Sequence, residues 1–205
     1  MKRISLSRIV PVVLAATALV ANADEASALK TLSSADASLH DKAMACDELG
    51  RVGTAKAVPA LAKLLADEKL HDYARDGLER IPDPSAGKAL LASWKDLKGD
   101  QRIGVIITLG DRREKQAVPR LAKIAKGKND IAASAAMASL AQIATKESVA
   151  AIVAAYAEAE GERRTAATNA IELAAQKLDQ AGRGEEASKL RKTLDAGATA
   201  AVSGS

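Results

Sequence analysis

Phenylalanine is absent from this 205-residue chain, tryptophan occurs once and tyrosine twice. Strands draw on aromatic and β-branched side chains to cover a pleated surface, so this shortage argues against a β-sandwich or barrel. Cysteine is almost as scarce. Cys46 stands alone, which excludes an intramolecular disulfide and any multi-cysteine zinc or redox motif. No Gly-rich phosphate cradle, Ser/His/Asp constellation or His-Glu dipeptide is present, and there are only two histidines. Beyond the first residues no uncharged apolar run is long enough to span a bilayer. Alanine is what the chain has in excess, with 47 residues. Alanine favours helix at no side-chain entropy cost and lets helices approach closely. The expectation is an all-α protein, with Cys46 packed on an apolar helix face.

Residues 1–23 read as a secretory signal peptide. Lys2, Arg3 and Arg8 give a basic start, Ile9 to Ala21 are almost all apolar, and Ala21-Asn22-Ala23 is the small-x-small pattern before a cleavage predicted after Ala23. Thirteen apolar residues rise about 20 Å as a helix, short of a hydrocarbon core of roughly 30 Å. The expected location is periplasmic or secreted, with no membrane span after cleavage. Three of the 30 basic residues lie in this segment, leaving 27 against 26 acidic ones. With the two signs interspersed and so little net charge, the sequence does not suggest a nucleic-acid partner.

The remainder is repetitive. LGRVGTAKAVPAL (Leu49 to Leu61) returns as LERIPDPSAGKAL (Leu78 to Leu90), LGDRREKQAVPRL (Leu109 to Leu121) and LAQIATKESVAAI (Leu140 to Ile152). Successive copies are offset by 29, 31 and 31 residues, a period typical of stacked repeat proteins. In each copy an apolar run ends, a polar turn intervenes and a second apolar run begins, which predicts a helix, a tight turn and a returning helix. Four helix pairs are expected over 39–160, after a cap or loop at 24–38. Thr54 and Asn129 or Asp130 are N-cap candidates. Pro82-Asp83-Pro84 should end one helix sharply, and the returning helix of that pair is expected to reach Gly99. Residues 161–195 read as a C-terminal helical pair and 196–205 as a flexible tail.

The LG..G...AVPAL phrase, best kept at Leu49–Leu61 and Leu109–Leu121, resembles HEAT repeats, and in particular the short-repeat subgroup called PBS-lyase HEAT-like. The run from His71 to Leu121 is similar to HEAT arrays in secreted proteins of planctomycete and verrucomicrobial type bacteria. The resemblance covers roughly 39–160. It implies an α-solenoid, a superhelix of stacked antiparallel helix pairs, and a protein or peptide partner for a non-catalytic scaffold. The subgroup's name implies an alternative, a bilin-lyase-like chaperone or lyase, although those proteins act inside the cell. A further alternative is an accessory subunit of a secreted haem or dehydrogenase assembly.

No catalytic, metal or cofactor residues emerge. His40 and His71 sit in two Leu-His-Asp triplets that fall out of phase with the repeat, so they read as structural. Partner-binding candidates are the turn pairs Arg112-Arg113 and Arg163-Arg164, whose forks suit carboxylates, and Trp94 as a surface anchor. Against an anchor role, Trp94 shares its repeat position with Leu65, Ala125 and Tyr156, an apolar set.

Overall fold

The computed structural model describes residues 23–203, with side-chain exposure described to residue 194. The signal segment read at 1–23 lies outside them apart from its last residue. Among the described residues every regular element is helical. The helices are α1 (residues 23–33), α2 (Leu39–Val52), α3 (Val58–Leu64), α4 (His71–Arg80), α5 (Pro84–Ser93), α6 (Gly99–Asp111), α7 (Val118–Ala125), α8 (Asp130–Ile143), α9 (Lys146–Glu158), α10 (Gly161–Gln180) and α11 (Gly184–Ser203), with one 3-10 turn at Lys115–Ala117 before α7. No helix among the described residues is long and apolar enough to cross a membrane.

The chain divides into two compact units, Met1–Asp96 and Leu97–Ser205, so the expected four-pair array splits after its second pair. In the first unit α2 packs on α4 and α3 on α5, with α4 touching both second helices. In the second, α6 packs on α8 and α8 on α10, α7 packs on α9, and α11 closes against α10. Leading helices thus neighbour leading helices, and returning helices neighbour returning ones. The repeat explains this, since a lone hairpin cannot bury both its faces and needs the next to cover it. Leu49, Leu78, Leu109 and Leu140, which open the four copies, and Leu61, Leu90, Leu121 and Ile152, which close them, are all fully buried. Each such side chain contributes about 1.5–3 kcal/mol.

Small residues set how close the leading helices come. A Cβ on Gly110 of α6 would lie 2.6 Å from the Ser139 Cα of α8. Ser139 also donates its hydroxyl to the Ile106 carbonyl at 2.9 Å, so the contact that admits no side chain is pinned by a hydrogen bond.

Side chains cap four of the helices. Ser38 and Asp41 form a reciprocal capping box on α2, Asp83 caps α5 beside Pro84, Asn129 caps α8 and Thr145 caps α9. Thr54, expected to cap α3, instead opens the turn ahead of it. α3 begins at Val58 with Ala57 at its N-cap and no side-chain cap bond. The Thr54 backbone N–H and hydroxyl both donate to Glu25 Oε1, at 2.6 and 2.8 Å, from α1. Glu25 is only 3% exposed, so these bonds satisfy a carboxylate that burial would otherwise penalise.

Two boundaries differ from expectation. α5 stops at Ser93 rather than Gly99, and Leu97 is buried outside any helix. The tail expected from residue 196 starts too early in that reading, because α11 stays helical to Ser203. The alanines of AGATAAVS sustain the helix there despite its small glycine.

The units differ in charge. Residues 23–96 hold 10 basic and 13 acidic side chains, and residues 97–205 hold 17 and 13, giving −3 and +4. The sum over residues 23–205, only +1, hides this division.

Candidate functional site

The five residues singled out from sequence do not form one site. Trp94 is buried, at 6% exposure, with its repeat equivalents Leu65, Ala125 and Tyr156, so it packs and is not a surface anchor. Arg112 occupies the repeat position of Val52, Ile81 and Ile143. Its side chain is 8% exposed and its Nε donates to Glu114 Oε1 at 3.2 Å, which corrects the reading of Arg112 as a free rim cation. Arg163 is also engaged within the fold. It donates to the Gly127 carbonyl at 3.2 Å and pairs with Asp130 at 3.2 Å. Arg164 donates to the Tyr156 carbonyl at 2.9 Å, with its guanidinium 3.7 Å from the centre of the Tyr156 ring, a cation–π contact. Of the four arginines only Arg113 is exposed.

Arg113 lines a cleft of about 680 Å³ in the second unit, whose other cations are Lys115, Lys146, Lys177 and Arg183. Two turns build it. The residue four past the opening leucine is left-handed in both, with Arg113 at φ 54° and Ala144 at φ 50°. A side chain pays for that conformation in steric strain, and such outliers persist only where the surroundings hold them. Ala144 is held through its carbonyl, which accepts from Arg183 at 2.9 Å. Arg183 is in turn gripped by both carboxylate oxygens of Glu186 at 2.7 Å.

The lysines come from the repeat itself. Lys115, Lys146 and Lys177 are spaced 31 residues apart, one period each. Stacked hairpins place equivalent positions side by side, so one residue type recurring at that interval becomes a ladder. That spacing is the sequence signal by which the lysines are identifiable, and a search for paired arginines passes over it. Among the described residues no ion pair within 4 Å engages Arg113, Lys115, Lys146 or Lys177.

Glu147 is the one carboxylate lining the cleft. Hydrogen bonds from its own backbone N–H and the Thr145 hydroxyl, helped by Lys146 and Lys115, hold its carboxyl below the usual range, so it stays ionised. Glu186 is held low by Arg183 in the same way. Allowing for Arg183 paired to Glu186, four cations face one carboxylate. The lining has no aromatic residue on which a base could stack. Such an arrangement attracts anions by charge and charge-assisted hydrogen bonds.

Elsewhere the chemistry-bearing groups are quiet. Cys46 is fully buried, and burial, with the Asp67 charge adding, pushes its thiol up to about 11. A thiol held protonated is a poor nucleophile. His71 leads α4 with its Nδ1 3.4 Å from Asp72, and His40 is exposed in the first turn of α2. No group of three or more His, Cys, Asp or Glu side chains among the described residues is arranged to hold a metal ion. Comparison of the chain with protein-family models and with curated proteins finds no match in either.

Proposed function

We propose that this chain is an exported, non-catalytic scaffold of the HEAT-repeat type, an α-solenoid that holds an acidic segment of a partner protein in the lysine-lined cleft. The observation that carries this reading is the unpaired set Arg113, Lys115, Lys146 and Lys177 around one concavity. Unpaired like charges repel and lower stability unless something of opposite sign arrives. Two further features support it. The three lysines fall one repeat period apart, at or near the ends of helices, where helical-repeat proteins have room for side chains that do not pack. The absence of aromatic lining favours a carboxylate-rich peptide over a nucleic acid, whose bases need a stacking surface.

A glutamate-rich peptide titrated into the purified chain, read by fluorescence anisotropy, tests the cleft. Saturable binding that weakens with salt is expected, and Lys115→Glu/Lys146→Glu should cost at least about tenfold in affinity. Equal binding by that variant removes the cleft from the proposal. Tighter binding of a single-stranded oligonucleotide of equal charge would make nucleic acid the better partner. Fractionation of tagged protein tests export, with the form shortened after Ala23 expected outside the cytoplasm. Full-length protein confined to the cytosol would favour the lyase alternative.

A further inference from the structure

A second cavity in the same unit has a different chemistry. It holds about 340 Å³ between α6, α7 and the start of α8, at the lower end of the size range for small-molecule pockets. Ile103 and Ile106 of α6, Ile124 of α7 and Ala132 of α8 give it apolar walls. Three cations, Arg102, Lys123 and Lys128, also line it, and no carboxylate does. The loop that closes one side is fixed from two directions. Arg163 ties down the Gly127 carbonyl and Asp130, and the Asn129 side chain accepts from the Ala132 N–H at 2.9 Å.

Arg102 is the anomaly. Its Nε is sealed from solvent and has no hydrogen-bond partner. A cationic N–H deprived of both water and an acceptor is costly, and proteins rarely keep one without a reason. A sealed Nε is out of reach of a ligand until the guanidinium turns, and the three cations and isoleucine walls of the cavity suit an anion carried on an apolar tail.

We propose that this pocket binds a medium-chain aliphatic carboxylate, with its hydrocarbon tail among Ile103, Ile106 and Ile124 and its carboxylate on the Arg102 guanidinium. The fork accepts a carboxylate side-on through two parallel hydrogen bonds once the arginine turns to meet it, and Lys123 and Lys128 supplement the charge at the mouth. The apolar walls reject small hydrophilic anions, which gain nothing from them, and Arg102 discriminates against neutral alcohols of the same length. This site is separate in its lining from the lysine cleft, and neither proposal depends on the other.

Isothermal titration calorimetry of the full chain with octanoate, kept below concentrations at which it self-associates, tests the proposal. One saturable site is expected, with 1-octanol and butyrate each weaker by at least about tenfold. Arg102→Met should lose a similar factor while keeping its helical circular dichroism and melting temperature, because the native arginine makes no bond there to lose. Arg102→Gln serves the same purpose if the methionine variant misfolds. Ala132→Leu, which fills the pocket, should also lose binding, whereas Lys115→Glu/Lys146→Glu should retain it. The proposal is overturned by absence of saturable octanoate binding, by equal affinity in both Arg102 variants, or by octanol binding as tightly as octanoate. Binding confined to a peptide ending in a free leucine carboxylate, with octanoate inert, would also overturn it by assigning the pocket to a chain terminus.

Discussion

The two units are built from the same hairpin and place their charge differently. In the first, all three described arginines are paired. Arg75 reaches Asp72, Asp76 and Glu79, Arg80 spans from α4 to Asp47 on α2 at 2.6 Å, and Arg51 grips Glu48. Its inter-helix turns are relaxed, with Gly53 at φ −67° where the second unit has Arg113 and Ala144 in left-handed conformations. In the second unit Arg113, Lys115, Lys146 and Lys177, which line the cleft, have no ion pair within 4 Å among the described residues, and two turns carry left-handed residues. Surface ion pairs contribute little to stability, so the difference concerns availability more than strength. One set of repeats pairs every arginine it has, and the other gathers four unpaired cations round one cleft.

Several substitutions would break or sharpen that contrast. The largest effect should come from the shared architecture, where both units depend on glycine. Gly110→Val would force α6 from α8, and Gly77→Val would set a branched side chain against the Cys46 carbonyl, which is 2.9 Å from a Cβ placed there. Each should lose about 3 kcal/mol in urea denaturation, and a loss below about 1 kcal/mol would show that the helices can separate cheaply.

Charge reversal comes next and should separate the units. Lys146→Glu in the cleft should weaken binding of a glutamate-rich peptide by roughly tenfold, about 1.4 kcal/mol, while Arg80→Glu in the first unit should leave that binding unchanged. Equal losses would mean that net charge, and not the cleft, drives association.

A third test follows the interior thiol. The Cys46 pKa rises from 9.0 to about 11 in the folded chain, so the fold favours the protonated form. The resulting stability is complete below pH 9 and is lost as pH rises through 11. The unfolding free energy from urea denaturation should fall across that window by on the order of 1 kcal/mol more in the parent than in Cys46→Ala, which has no thiol to titrate. Parallel curves would show that other groups govern the alkaline limit.

The smallest effect is the most discriminating. Arg113→Gly relieves a left-handed residue and should stabilise the chain by up to about 1 kcal/mol in the same denaturation assay. It should also weaken peptide capture a few-fold. A variant that gains stability and keeps full binding would show that the strained turn is not maintained for the cleft.

The fold was legible where the repeat imposes equivalent environments. Leu49, Leu78, Leu109 and Leu140 fall on one buried register because a hairpin stacked on its neighbour offers the same slot each time. Trp94 was legible for the same reason, through the company of Leu65, Ala125 and Tyr156. Arg112 and Arg113 were not separable, since adjacent residues of one type differ only in the backbone angles of the turn. There the left-handed residue sends one to solvent, and Glu114 draws the other in. The orphaned Nε of Arg102 could not be read at all, because the lack of a partner depends on what three helices place around it. The early end of α5 was missed because Leu97 continues the apolar rhythm while the chain has already left the helix.

The Gly110–Ser139 contact has an implication for how such a chain can vary. Where two backbones meet at a hydrogen atom's width, no larger residue can be admitted without separating α6 from α8, so that line tolerates almost no change in side-chain bulk. Tolerance lies instead in the short connections between hairpins, where residues can be exchanged, lengthened or recharged at little cost to the joints beneath. Diversification toward new binding preferences would accumulate along that margin, leaving the glycine where it stands.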